Sequence, residues 1–235
     1  MDYQNFDRTS VLNNIPNKKL LEYLSNIQDS NDDLKIKNIK LVAINRYAES
    51  NIPIEYWSLK MEKDFKGDPR LLKKYNEYIF DIKKSYINGT SICFAGSHGL
   101  GKTFTVSCIL KKCCEKGYNT LYSTLGDVVS VLTQSSNEDK FLSRKELMMV
   151  DFLVIDEFDS RFISSDNAAD LYARTLEIIF RTRSQNKLPT LMCTNSPNII
   201  ESFTGPLKDS ISSLMNGYLK IFPVFGEDFR KIKNT

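Results

Sequence analysis

Histidine is almost missing: His98 is the only one, and no cysteine precedes residue 93. A zinc site built from histidine and cysteine ligands is thereby excluded. The cysteines number five (Cys93, Cys108, Cys113, Cys114 and Cys193), an odd count with no C-x-x-C spacing. Cys93 and Cys193 fall in apolar runs that read as central strands, and Cys108 and Cys113 on the apolar side of a helical pattern. They read as small buried hydrophobes in a reducing compartment. Long apolar runs are missing as well, since nothing approaches the roughly 18 consecutive apolar residues of a membrane span. The opening residues have neither the basic nor the apolar stretch of a secretion signal. The expectation is a cytoplasmic or nucleoid-associated protein with no membrane partner. Nor does one sign of charge dominate: 32 basic and 29 acidic residues leave a net +3. Any nucleic-acid surface must therefore be a local patch.

What is present suits an enzyme-sized core. The 235 residues are 41% hydrophobic and 26% charged, which fits one domain and a small appendage. Residues 1–15 are polar and asparagine-rich. Residues 17–28 and 32–49 carry weak helical patterns, the second with Ile36, Ile39, Ala43 and Tyr47 on one face. Pro53 breaks that helix, and residues 53–69 read as an irregular connector holding Tyr56 and Trp57. A helix is expected over 70–87, with Leu72, Tyr75, Ile79 and Ile82 buried. From residue 90 strands and helices alternate: strand 91–95, helix 103–116, strand 120–123, helix 125–133, polar loop 134–143, helix 144–149, strand 152–155, helix 167–184, strand 189–193. That order predicts an α/β fold with a parallel sheet between helical layers. A helical piece near 206–216, a strand near 218–222 and a basic tail follow.

Between the first strand and its helix stands Gly96-Ser97-His98-Gly99-Leu100-Gly101-Lys102-Thr103, which meets G-x-x-x-x-G-K-[ST] at every defined position. Glycines let the backbone wrap phosphate oxygens, and the helix start favours an anion. Lys102 is expected to reach the β- and γ-phosphates and Thr103 to bind Mg2+. The expected ligand is ATP with Mg2+, held by residues 96–103 together with Phe104. His98 reads as a variable loop residue, because phosphate transfer needs no imidazole.

The run Phe152-Leu-Val-Ile-Asp156-Glu157 delivers two acids to the carboxyl edge of the sheet. Asp156 is expected to hold Mg2+ through its water, and Glu157 to polarise the attacking water as general base. Asn195, ending another core strand, is expected to reach the γ-phosphate or that water. Arg230 either swings onto the phosphates or is a surface arginine. Asp159 and Arg161 read as a solvated turn or a subunit contact.

Several stretches together resemble the AAA+ ATPases of the replicative helicase-loader group, the DnaC/DnaI type, with the transposition helper IstB as a relative. They are residues 51–57 and 64–67 of the connector, the phosphate loop, 118–127, 154–157, 189–195 and 226–230. The likeness covers residues 51–235 and leaves the first fifty unmatched. It implies a AAA+ P-loop NTPase with a central parallel sheet and a small helical N-terminal region. The divisions are 1–50, a helical partner-binding region; 51–69, the connector; and 70–235, the ATPase domain. Asn195 becomes the sensor-1 and Arg230 the sensor-2 residue. Residues 124–149 become an insertion that contacts single-stranded DNA, with Lys140, Arg144 and Lys145 toward phosphates or on a solvated face. The implied partners are a hexameric replicative helicase, single-stranded DNA and, with ATP bound, further copies of the chain.

One departure stands out. Where the family carries an arginine that reaches a neighbour's nucleotide, this chain has Ser213. Such an arginine contributes ~10³–10⁵ in rate, so hydrolysis should be slow, or the finger should come from Arg161, Arg174, Arg181, Arg183 or another protein. The expected function is ATP-dependent helicase loading onto single-stranded DNA. The alternatives are an IstB-like transposition helper on duplex DNA and a nucleotide-gated adaptor that hydrolyses little. Tyr56 and Trp57 either lie near the adenine or pack in the core.

Overall fold

The computed structural model describes residues 17–134, 137–158, 166–196 and 206–229. Its elements are α1 (Asn17–Gln28), α2 (Leu34–Glu49), a 3-10 turn (Ile54–Tyr56), α3 (Met61–Asp64), α4 (Pro69–Phe80), α5 (Ile82–Ile87), β1 (Ser91–Ala95), α6 (Lys102–Glu115), β2 (Thr120–Thr124), α7 (Leu125–Gln134), α8 (Asn137–Met149), β3 (Phe152–Asp156), α9 (Asp166–Gln185), β4 (Thr190–Thr194), α10 (Pro206–Tyr218) and β5 (Leu219–Pro223). The five strands form one parallel sheet in the order β2-β3-β4-β1-β5. Chain-adjacent strands therefore lie apart around β1, and the crevice at the carboxyl ends of the strands opens beside it.

Period-2 alternation sorts the strand residues between two cores. Ile92, Phe94, Tyr122, Phe152, Val154, Leu191 and Cys193 join one face, which α2, α4 and α6 cover. Cys93, Leu121, Leu153, Ile155 and Met192 join the other, with Leu147 of α8, Leu176, Ile179 and Phe180 of α9 and Met215 of α10. The three inner strands, β1, β3 and β4, are buried along their whole length because both of their faces are covered. All five cysteines are buried and reduced, and burial pushes the Cys93 thiol up to about 12.

The N-terminal helices share the first core through Ile27, Ile44, Tyr47 and Ala48. Tyr47 donates to Glu115 Oε1 at 2.7 Å, Arg46 to the Cys114 carbonyl at 2.8 Å, and the Tyr122 N–H to the Ser50 carbonyl at 2.8 Å. Only the last turns of α2 meet α6. Ile36 and Ile39, expected to share a face with Ala43 and Tyr47, are 42% and 60% exposed. The helix expected over 70–87 is two helices: Asp81 leaves helical geometry at φ −137° and its carboxylate caps α5 by accepting from the Lys84 N–H. On α4 the buried positions are Leu71, Tyr75 and Tyr78, one residue off at Leu71 and Tyr78 from the expected Leu72 and Ile79. The polar loop expected over 134–143 is mostly the first half of α8, where glutamate, aspartate and lysine act as helix residues. Among the described residues, no helix is long and apolar enough to cross a membrane.

Two buried cations brace this frame. Lys111 of α6 donates to the carbonyls of Tyr56 at 2.6 Å, Trp57 at 3.2 Å and Leu59, clasping the connector to the helix that begins at the phosphate loop. Burial holds its ammonium below the usual lysine range. Arg183 of α9, fully buried, donates to Thr190 Oγ1 and to the carbonyls of Leu147, Val150 and Pro189. It joins α8, α9 and the start of β4, with burial pulling its guanidinium pKa down.

Candidate functional site

Residues 96–101 turn from β1 into α6. Gly99 takes φ +76°, and a Cβ there would come within 1.8 Å of Asp228 Oδ1. Only glycine meets both demands. At Gly96 a Cβ would stand 2.2 Å from the Val224 carbonyl oxygen. That oxygen belongs to residues 224–229, which cross the loop: Val224 N–H donates to Ala95 at 2.7 Å and Phe229 N–H to Gly99 at 3.1 Å. Gly101 caps α6 without a side-chain hydrogen bond, and the first turn holds no acid. The first N–H groups of α6 are thus left to an anion.

Lys102 is 6% exposed. Its Nζ donates to the carbonyls of Gly96 at 2.7 Å and Ser97 at 2.6 Å, and to Asn195 Oδ1 at 3.0 Å. Lysine and asparagine, 93 positions apart, meet at the loop. The meeting follows from register, since β1 and β4 are neighbours that pair Ala95 with Thr194. Ser97 and His98 are exposed at the tip, Leu100 is buried beneath it, and Thr103 and Phe104 are half-buried.

Asp156 ends β3 and is 4% exposed. Its Oδ2 accepts from the Tyr122 hydroxyl at 2.6 Å and its Oδ1 from the Glu157 N–H at 2.7 Å. Burial first, and then the Asp156 charge, hold the Tyr122 phenol far above the usual tyrosine range, so it stays a donor. Glu157 is exposed and sits at φ +52°. The next residue, Phe158, donates its N–H to the Cys193 carbonyl at 3.0 Å.

The donor set fits Mg2+. Among the described residues no group of three or more histidines, cysteines and acids could hold a metal. What exists is one buried carboxylate and a threonine hydroxyl beside a phosphate loop, the sparse protein contribution that magnesium takes when phosphates and waters supply the rest. Asp156 and Thr103 are the residues that would hold it.

Other expected positions fare differently. Trp57 packs in the core: it is 5% exposed, donates to the Ile52 carbonyl at 2.8 Å and lies tilted against the rings of Tyr23 and Tyr47 at 5.7 and 6.3 Å. The aromatic wall nearer the loop is Tyr56, Phe65, Phe104 and Phe229. Phe65 lies over Gly101, with Phe104 at 5.6 Å and Phe229 at 6.4 Å, and Tyr56 meets Phe104 at 5.9 Å. Arg144 and Lys145 are exposed on α8, while the Lys140 side chain lies outside the described residues. Arg161 and Arg230 also lie outside them. Ser213 is exposed on α10 and Arg174 on α9. Arg181 is salt-bridged to Glu177 at 2.7 Å. Arg183, being fully buried, cannot serve a neighbouring molecule. Sequence reasoning missed Tyr122, Phe65 and Phe229. Alternation puts Tyr122 on a buried face, but nothing in the sequence says which acid it meets.

Residues 64–186 match the family described as IstB-like ATP binding protein. The replicative helicase loader DnaC of Escherichia coli strain K12 is 27% identical over 197 residues, 81% of this chain and 73% of DnaC. Among solved structures, the crystal structure of the DnaC helicase loader superposes with a TM-score of 0.59 at 19% identity, over 73% of this chain and 99% of that one. The crystal structure of DnaI gives 0.57 at 18%, over 73% and 93%. The expected fold, an α/β AAA+ domain on a parallel sheet, is the one found.

Proposed function

From a chain that belongs to the IstB-like ATP-binding family, we propose a Mg2+-dependent ATPase that loads a replicative DNA helicase onto single-stranded DNA. The observation that carries the reading is the meeting of Lys102 with Asn195 at the phosphate loop, with Asp156 and Glu157 ending the strand next to β4. The likeness to DnaC over 81% of the chain supplies the loading role.

The loop N–H groups and the start of α6 bind the β- and γ-phosphates. Lys102 exchanges its loop carbonyls for phosphate oxygens, and Asn195 follows it to the γ-phosphate. Glu157 orients the attacking water and takes its proton. Bound Mg2+ supplies neutralisation of phosphate charge. ATP and ADP differ at the γ-phosphate, so Lys102 and Asn195 distinguish them, and that difference drives holding and release of the helicase. Residues 1–50 grip the helicase, and α8 offers Arg144, Lys145 and Lys140 to single-stranded DNA. Arg230 reaches the phosphates as sensor 2, and ATP-bound copies associate.

A second reading is a nucleotide-gated adaptor with little turnover. Exposed Ser213 and buried Arg183 favour it, since neither supplies an arginine to a neighbour. The test is ATP hydrolysis by the purified protein alone, with single-stranded DNA and with duplex DNA at stated salt, using Lys102→Ala as the blank. Stimulation by single strands at least several-fold is expected. Stimulation by duplex alone would move the reading to a transposition helper. A rate equal to the blank under all conditions, with ATP still bound, would establish the adaptor.

A further inference from the structure

We propose that Tyr122 is a positioning residue for the Mg2+ site, acting through the carboxylate of Asp156. The inference rests on Asp156 being the metal acid. Both oxygens of that carboxylate are engaged, Oδ1 by the Glu157 N–H at 2.7 Å and Oδ2 by the Tyr122 hydroxyl at 2.6 Å. Both donors are neutral, so they fix the plane of the carboxylate without cancelling its charge. A lysine or arginine in the same place would compete with a divalent cation; among the described residues none is salt-bridged to Asp156.

The Tyr122 hydroxyl is also held firmly. Its strand, β2, pairs with β3 in a register that sets Tyr122 opposite Val154 and Thr124 opposite Asp156. The side chain therefore reaches diagonally along the sheet to the acid. The ring lies in the core at 8% exposure, and its backbone N–H is anchored on the Ser50 carbonyl at 2.8 Å. Packing alone calls for a phenylalanine here, and the hydroxyl adds the bond to Asp156. Its removal frees one oxygen of a buried carboxylate to rotate. Loss of such an outer-shell partner typically weakens metal affinity by about 10–100-fold.

The experiment uses the full chain and a fluorescent ATP analogue, titrated over a series of Mg2+ concentrations and in chelator. Wild type, Tyr122→Phe and Asp156→Asn are compared, with Tm read by circular dichroism. The expected result for Tyr122→Phe is a Mg2+ midpoint raised about 10-fold, with Mg2+-free binding within about 2-fold and a near-native Tm. An unmoved midpoint in Tyr122→Phe, beside a shifted one in Asp156→Asn, overturns the role of Tyr122 alone. A midpoint unmoved in both overturns the assignment of Asp156 and the inference with it. Equal loss of binding with and without Mg2+, together with a lowered Tm, marks an ordinary core tyrosine and also overturns it.

Discussion

Glu157 carries its side chain on a backbone at φ +52°, a region that costs a non-glycine residue about 1 kcal/mol. The cost is met locally, because its own N–H binds Asp156 Oδ1 and the N–H of Phe158 binds the neighbouring strand. The turn separates two adjacent acids, one buried against Tyr122 and one exposed. Glu157→Gln should therefore bind ATP within about 2-fold of wild type while hydrolysis falls about 10²–10⁴-fold. Equilibrium binding and single-turnover hydrolysis on the same preparation check this; unchanged turnover would remove Glu157 from the chemistry. At this scale the loop, both acids and Asn195 were legible because phosphate chemistry demands particular residue types at strand ends. Tyr122 was not, since a tyrosine in an apolar strand reads as core whether or not its hydroxyl has a task. For Trp57 the sequence left two places open, near the adenine or in the core, and the core is the one found; a ring's place in the connector does not say which way it points.

Among elements, the seam between α2 and α6 carries a titratable lock. Burial pushes the Glu115 carboxyl up, but hydrogen bonds from Lys112 and Tyr47 outweigh it and hold the group below its usual 4.5. A depressed folded pKa gives stability that is present above 4.5 and lost as pH falls through the folded value. Trp57, whose ring packs tilted against Tyr47 at 6.3 Å, reports on the seam. Its emission should hold steady from pH 7 to 4.5 and change below, and Glu115→Gln should blunt that change. A transition centred above 4.5, or one the variant leaves intact, would assign the acid response to other carboxylates. Helix positions were legible where apolar residues recur over three turns, as in α6. They were not at Asp81, where a side-chain cap outcompeted a continuous helix, nor in α8, whose polar start was taken for a loop.

For the molecule as a whole, the division at residue 50 is not visible in the packing. Ile27, Ile44, Tyr47 and Ala48 lie in the same core cluster as Phe94, Val106 and Val154. Urea unfolding followed by Trp57 emission and by far-ultraviolet dichroism should give coincident curves. Two separated transitions would show that the N-terminal helices form a unit of their own. Alternation of strands and helices made the parallel sheet legible, but strand order was not, because it is set by which crossovers pack best and leaves no mark in local sequence.

Strand order also has a bearing on synthesis. The phosphate loop emerges from the ribosome with β1, yet β5, which covers the outer edge of β1, and residues 224–229, which cross Gly96 and Gly99, are translated far later. A nascent chain that has made its whole nucleotide motif still has β1 as an open edge and the loop uncrossed on one side. The loop, made early, is thus braced on that side only once β5 and residues 224–229 have been added.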